Sequence, residues 1–382
     1  MKKTFLFLMS GLMLVSCVDE IIVDPTPNSN KIVNTNIKTN TTWFSDTVYQ
    51  LGGRIAVEDG ATLTIEPGTV IKGEAGTGAN ATALLIARGG KIIAEGTPLL
   101  PIIFTSVADE ISPEQVKTGD FKSPNLDPNI NGLWGGVIVL GGATISASNS
   151  SGDVSSVQIE GIPTSDPNGL YGGVNNADNS GIIKYVSIRH GGANIGSGNE
   201  INGLTLGGVG AATTIDHVEV VANQDDGIEC FGGTVSLTNV VSWNVGDDGF
   251  DTDQSWAGTL DNFVIISPAG HVFELDGPEG SYDAGHTIKN GDVYVGGAED
   301  IINVDDNSIV DLIDIYFTNF IAENKINRVT APSVTFTNIV LDVNDVSLHV
   351  NGTVPTGVTA GQSPKANKSV LGWTWASQEG QF

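Results

Sequence analysis

Asp226-Gly227-Ile228-Glu229-Cys230-Phe231 returns one period later as Asp248-Gly249-Phe250-Asp251-Thr252-Asp253, then as His271-Val272-Phe273-Glu274-Leu275-Asp276 and as Asp300-Ile301-Ile302-Asn303-Val304-Asp305. The period is roughly 22 residues, within the range of stacked-repeat architectures. A second segment keeps step with it. Asp216-His217-Val218-Glu219-Val220 aligns with Thr238-Asn239-Val240-Val241-Ser242 and Asp261-Asn262-Phe263-Val264-Ile265; beyond an insertion it aligns with Gly291-Asp292-Val293-Tyr294-Val295, Ile313-Asp314-Ile315-Tyr316-Phe317 and Thr337-Asn338-Ile339-Val340-Leu341. Each repeat therefore carries at least two short strands. Side chains alternate across a strand, so Ile228, Phe250, Phe273 and Ile302 form one inward column, and Cys230, Thr252, Leu275 and Val304 form a second. Glu229, Asp251, Glu274 and Asn303 face outward, as do Phe231, Asp253, Asp276 and Asp305. Like residues in columns, joined by Gly, Asn and Asp turns with no helical crossover, predict an all-β fold: a single-stranded right-handed parallel β-helix. A sandwich or barrel would also be rich in strands but would not place like residues at a fixed period.

Outside the repeat, composition agrees. The 49 glycines and the even scatter of Val, Ile and Thr favour many short strands over helices. A chain of 382 residues is long for one globular core but ordinary for a solenoid. The formal charge of -27 excludes nucleic acid as a partner and gives no attraction to anionic lipid; cationic partners or divalent ions fit better. At the start, Lys2 and Lys3 precede the apolar run from Thr4 to Val15, too short to span a bilayer, so residues 1–16 are expected to be a signal peptide. Leu14-Val15-Ser16-Cys17 resembles the lipobox of bacterial lipoproteins, which implies a diacylated Cys17. Two acyl chains suffice for stable anchoring, so a membrane is an expected partner. Val18, Asp19 and Glu20 resemble the signal that sends Bacteroidota lipoproteins to the outer face of the outer membrane, which implies a cell-surface location. Residues 17–41 read as a lipidated, flexible tether. Residues 42–382 read as the β-helix, with a C-terminal cap from about residue 353. Once processing consumes Cys17, Cys230 is left alone and no intramolecular disulfide can form.

The run Arg54-Ile55-Ala56-Val57-Glu58-Asp59-Gly60-Ala61-Thr62-Leu63-Thr64-Ile65-Glu66-Pro67-Gly68-Thr69-Val70-Ile71-Lys72-Gly73 closely resembles the opening coils of Bacteroidota surface β-helix lipoproteins, within the pectate-lyase-like superfamily. The likeness continues at Gly132-Leu133-Trp134-Gly135-Gly136-Val137-Ile138, Ser187-Ile188-Arg189-His190-Gly191-Gly192, Asn223-Gln224-Asp225-Asp226-Gly227-Ile228-Glu229 and Gly372-Trp373-Thr374-Trp375-Ala376. It implies the fold along nearly the whole mature chain. It implies no single activity, because a fold carries none by itself.

The outward acidic columns are where chemistry is expected. Neighbouring strands lie about 4.8 Å apart, so Glu229, Asp251 and Glu274 stack, flanked by Asp253 and Asp276. Such a ladder repels itself unless a member takes a proton or a cation sits between the rungs. In one reading these Asp and Glu residues hydrogen-bond backbone N–H groups at coil corners and stay solvated. In a second, Glu229, Asp251, Asp253, Glu274 and Asp276 hold Ca²⁺, a hard ion that wants six to eight oxygens. In a third, Glu229, Asp251 and Glu274 act on a polysaccharide, since carboxyl pairs at about 5 Å or roughly 6.5–9.5 Å serve glycosidases, with His271 as proton shuttle beside Asp248. A lyase would need a Lys or Arg base, and Arg189 lies about two coils away.

The preferred expectation is a non-enzymatic surface binder of glycans or cell-envelope components, with Asp226, Asp248, Asp253 and Asp276 as ligand-binding residues. The alternatives are a polysaccharide hydrolase or lyase and a structural component of a surface complex. An enzyme predicts a cleft formed by the insertions near residues 110–131 and 277–290, with aromatic or basic side chains beside the ladder. Trp134, Tyr171, Trp243 and Trp256 are the candidate sugar platforms. A binder predicts a shallow face with cation dependence. Arg189-His190 reads as a turn with a satisfied imidazole, Gly207-Gly208-Val209-Gly210 as a turn between coils, Cys230 as core, and Trp373 with Trp375 as a cap over the open end.

Overall fold

The computed structural model describes residues 30–195, 201–305, 307–321, 324–329 and 333–382. The expected signal peptide and Cys17 lie outside these residues. Eight parallel strands stack in one ladder: Arg54–Val57, Ala83–Ile86, Val137–Leu140, Leu204–Gly207, Ile228–Phe231, Phe250–Asp253, His271–Leu275 and Asp300–Val304. Single bridges extend it at both ends, to Ile37 and to Ile326 and Val350. The other walls form one 15-stranded sheet. The chain is a parallel β-helix, as the columns predict.

Each later coil turns within that second sheet on one residue. The strands Gly181–Arg189, Thr214–Val221, Leu237–Trp243, Thr259–Ile266, Gly285–Gly296, Ile309–Phe320 and Val334–Leu341 bend where Tyr185, His217, Asn239, Asn262, Asn290, Asp314 and Asn338 adopt positive φ. Asn tolerates that conformation because its amide bonds locally. Here the amides also stack: Asn262 Nδ2 donates to Asn239 Oδ1 at 2.7 Å, and Asn239 Nδ2 to Asp216 Oδ1 at 2.7 Å. In the first coils the same bend is a loop between separate strands, and the two rows merge in Gly181–Arg189, whose halves pair with Lys91–Glu95 and Ile102–Ser106.

The inward columns are as expected: Ile228, Phe250, Phe273 and Ile302 pair in register and are buried, as are Cys230, Thr252, Leu275 and Val304. One alignment shifts. Asp261 pairs with Lys289 and Phe263 with Gly291, so Lys289-Asn290-Gly291 takes the place expected for Gly291-Asp292-Val293. A slip of two residues preserves the in–out alternation, which is why pattern alone did not detect it.

Three boundaries are also corrected. The expected tether ends sooner: Asn30–Val33 is a strand paired with Val48–Leu51, and Ile37 is buried against the first coil, where Asn36 Oδ1 accepts from Ala56 N at 3.1 Å. An open first rung needs a partner for its backbone groups, and this segment supplies it. Only the start of the expected C-terminal cap closes the solenoid end, where Val358–Ala360 pairs with Val334–Leu341 as a last rung. Trp373 and Trp375 do not cap it: the chain runs back along the flank, where Leu371, Trp375 and Ala376 cover Val221, Val241, Trp243, Val264 and Ile266. The 110–131 insertion likewise packs against the second sheet, with Ile111, Val116 and Phe121 over Val70 and Ile103 beside Trp373.

Candidate functional site

The outer face of the short ladder changes character along a single column. Ala56, Leu85, Ile138, Thr205, Glu229, Asp251, Glu274 and Asn303 are successive register partners. The apolar rungs need cover, and residues 144–172 provide it as two small hairpins, Ala147–Asn149 with Gly152–Val154 and Val157–Gln158 with Leu170–Tyr171. Ile145, Ile159, Ile162 and Tyr171 pack on Leu85, Ile138, Leu140 and Phe231. The roof continues over the first acidic rungs. Tyr171 Oη donates to Gln254 Oε1 at 2.9 Å, Ser148 Oγ to the Glu279 carbonyl at 2.7 Å, and Ser281 N to Asp153 Oδ1 at 3.0 Å. Glu229 is consequently 7% exposed and Asp251 9% exposed, not solvated as the corner reading expects.

Burial has an electrostatic consequence. It is the main force pushing the carboxyls of Asp226, Glu229 and Asp251 well above their ordinary range, reinforced by their mutual repulsion and, for Asp251, by Glu274. Burial and a side-chain hydrogen bond to Asp248 lift Glu274 to about 8, while its contact with Asp248 lifts His271 to about 9. Asp248 goes the other way: burial would raise it, but the His271 and Glu274 side chains and the His271 backbone N–H hold it low. At neutral pH His271 is thus an imidazolium beside the low Asp248 carboxylate, Glu274 keeps a proton, and burial disfavours charge on Asp226, Glu229 and Asp251.

Half of the corner reading holds for the residues that open each strand: they bond backbone N–H groups, but Asp226 and Asp248 are buried and not solvated. Asp226 Oδ1 accepts from Asp248 N at 2.9 Å, Asp248 Oδ1 from His271 N, and Asp300 Oδ1 from Lys325 N at 2.8 Å. Asn202 occupies the same place one coil earlier and was missed in the sequence, although Asn202-Gly203-Leu204 repeats Asp226-Gly227-Ile228. It is 1% exposed, its Nδ2 donates to Glu229 Oε2, and its Oδ1 has no hydrogen-bond partner. Glu279, also missed, faces Asp253, and together with burial it holds Asp253 up at about 8.

Among the described residues, three sets bring ligand atoms within 4.8 Å of one another: Asp226, Glu229 and Asp251; Asp225, Asp226 and Asp247; and Asp248, His271 and Glu274. The expected metal set is therefore divided. Glu229 and Asp251 join Asp226, Glu274 joins His271, and Asp253 and Asp276 belong to neither group. The candidate aromatic platforms are core residues: Trp134, Tyr171, Trp243 and Trp256 are buried, with Trp134 Nε1 donating to the Arg189 carbonyl at 2.7 Å and Trp256 Nε1 to that of Val235 at 2.9 Å. Arg189 is buried too, paired with Glu219 at 3.6 Å and facing away from the ladder under Trp375. Of the two expected cleft insertions, the one near 277–290 reaches the roof through Glu279, Gly280 and Ser281.

A family model described as a pectate-lyase like beta helix domain matches residues 35–376. No curated protein and no solved structure matches the chain.

Proposed function

The chain belongs to the family of pectate-lyase-like β-helix domains, and on that premise we propose that it is a lipid-anchored surface protein that binds glycans or another cell-envelope component without processing them. A carbohydrate-related role fits the family. Cys17 and the acidic residues after it support anchoring on the outer face of an outer membrane, with the rod's long lateral face held away from it. One observation favours binding over turnover: Glu229 and Asp251 are buried, at 7% and 9% exposure, which leaves a chain-like substrate no room to place its scissile bond between them as a glycosidase needs. The all-oxygen nest of Asp226, Glu229 and Asp251 suits Ca²⁺, which would replace the protons that the nest otherwise needs and make binding cation-dependent.

Hydrolysis or elimination is the second reading, and one feature favours it. Glu274 is partly exposed and keeps its proton near neutral pH, as a general acid must. A panel of neutral and acidic polysaccharides, each with calcium and with chelator, separates the two. Retention on one of them without new reducing ends or unsaturated sugars supports the binder. Product release that Glu274→Gln abolishes would establish an enzyme instead.

A further inference from the structure

At the end of the acidic column the chemistry changes from oxygen alone to nitrogen and oxygen. Nδ1 of His271 lies 3.0 Å from Asp248 Oδ1 and 3.9 Å from Glu274 Oε1. Two features of the fold bring these groups together. Val272 and Phe273 are both inside, so the coil turns its corner there and carries His271 round to the side on which Glu274 points outward. The backbone N–H of His271 is held by Asp248, which fixes the imidazole's root.

The set has more than acidity to recommend it. His271 Nδ1 is a buried atom without an aligned hydrogen-bond partner, close to Asp248 yet poorly directed at it. On the rung beside Glu274, Asp251 is 9% exposed and its Oδ1 has no hydrogen-bond partner either, while Glu274 and Asp248 are the charges that act on it most strongly. One buried ring nitrogen thus lies among carboxylates without a directed hydrogen bond. The His271 and Glu274 side chains remain 19% and 30% exposed, so the cluster opens to solvent.

We propose that Asp248, His271 and Glu274 form a binding site for a first-row transition-metal ion of the Zn²⁺ class, distinct from the all-oxygen nest of Asp226, Glu229 and Asp251 beside it. Imidazole nitrogen with two carboxylates suits Zn²⁺, Co²⁺ or Ni²⁺, whereas Ca²⁺ takes oxygen ligands and a larger shell. Three protein ligands with a solvent-facing side leave a coordination position for water. Asp251, behind Glu274, supplies negative charge without being a ligand. The site stands whether or not the chain binds glycans.

Co²⁺ tests this directly, because its visible absorption reports nitrogen ligation. The full chain, freed of metal by a chelator, is expected to take up Co²⁺ with a new visible band. Zn²⁺ should remove that band, and Ca²⁺ at the same concentration should not. His271→Ala is expected to weaken Co²⁺ binding by at least about tenfold, Glu274→Gln to weaken it as well, and Asp314→Asn, on the second sheet away from the acidic column, to leave it unchanged. Should His271→Ala not fold, protection of His271 in the unaltered chain from an imidazole-acylating reagent by Zn²⁺ gives the same answer. Equal Co²⁺ affinity in a folded His271→Ala chain, displacement by Ca²⁺ at parity, or no Zn²⁺ protection of His271 would each overturn the assignment.

Discussion

Asp253 should make the folded protein weaker as pH rises. It follows Thr252 on the outer side of the ladder, its Oδ1 accepts from Gln254 N at 2.6 Å, and burial plus the Glu279 carboxylate raise it from the usual 3.8 to about 8. In the unfolded chain it ionises near 4, so between about pH 4 and pH 8 the folded state binds the extra proton. Its contribution is complete below pH 4 and is lost as pH climbs through 8. One group shifted in this way gives a slope of about 1.4 kcal/mol per pH unit, or roughly 6 kcal/mol across the window. Partial exposure and the coupling of Asp253 to neighbouring carboxyls reduce this to about 2–3 kcal/mol. Asp253→Asn keeps the shape and removes the titration. Urea unfolding midpoints measured in chelator at pH 5, 6, 7 and 8 should fall more gently for the variant. It should be close to the unaltered chain at pH 5 and about 2 kcal/mol more stable at pH 8. Parallel profiles, or a variant that is weaker at pH 8, would refute the assignment of this proton to Asp253.

Other expectations follow from packing. Arg189→Ala leaves Glu219, at 0% exposure, without its cation, so it should lower stability by about 3–5 kcal/mol and free the C-terminal segment, whose Ala376 N donates to Glu219 at 2.9 Å; thermal melts and proteolysis of the tail read both effects. Gly291→Ala would place a Cβ 1.9 Å from Cζ of Phe263 and should cost about 1–3 kcal/mol, largely recovered by adding Phe263→Leu. Truncation after Gly361 should uncover Val241, Trp243, Val264 and Ile266, read as binding of a hydrophobic dye and as aggregation that the full chain does not show.

What the sequence made legible was the interior, because an inward column obeys one rule at every rung. Ile228, Phe250, Phe273 and Ile302 must fill the same cross-section of the coil, and a fixed period follows from that alone. The outer surface obeys no common rule. Its cover is assembled from segments distant in sequence: residues 144–172 over one face, 110–121 and 363–382 over another. A sequence signal for that cover did exist. Ala83-Leu84-Leu85-Ile86, Val137-Ile138-Val139-Leu140 and Phe263-Val264-Ile265-Ile266 are apolar at every position, which in a parallel sheet means burial on both sides. Reading only the alternating rungs concealed it and left Glu229 and Asp251 looking solvent-facing.

The same difference separates the parts of the site that pattern could find from those it could not. Asp226, Asp248 and His271 were visible as a column because each opens a strand and binds or is bound by the next coil. Their chemical difference arises from local partners, since His271 and Glu274 hold Asp248 low while Asp226 has other carboxyls beside it. Glu229 and Asp251 share an outward column with Glu274, but the first two are buried and the Glu274 side chain is 30% exposed, so closely similar carboxyls become a closed nest at one end and an open corner at the other. Removing the roof should narrow that contrast at Glu229. With residues 144–172 replaced by a short turn, Glu229, which has Glu160 of the roof beside it, should lose burial, and its titration should move down toward the ordinary carboxylate range. The Asp248–His271 contact does not involve the roof and should keep its imidazole high.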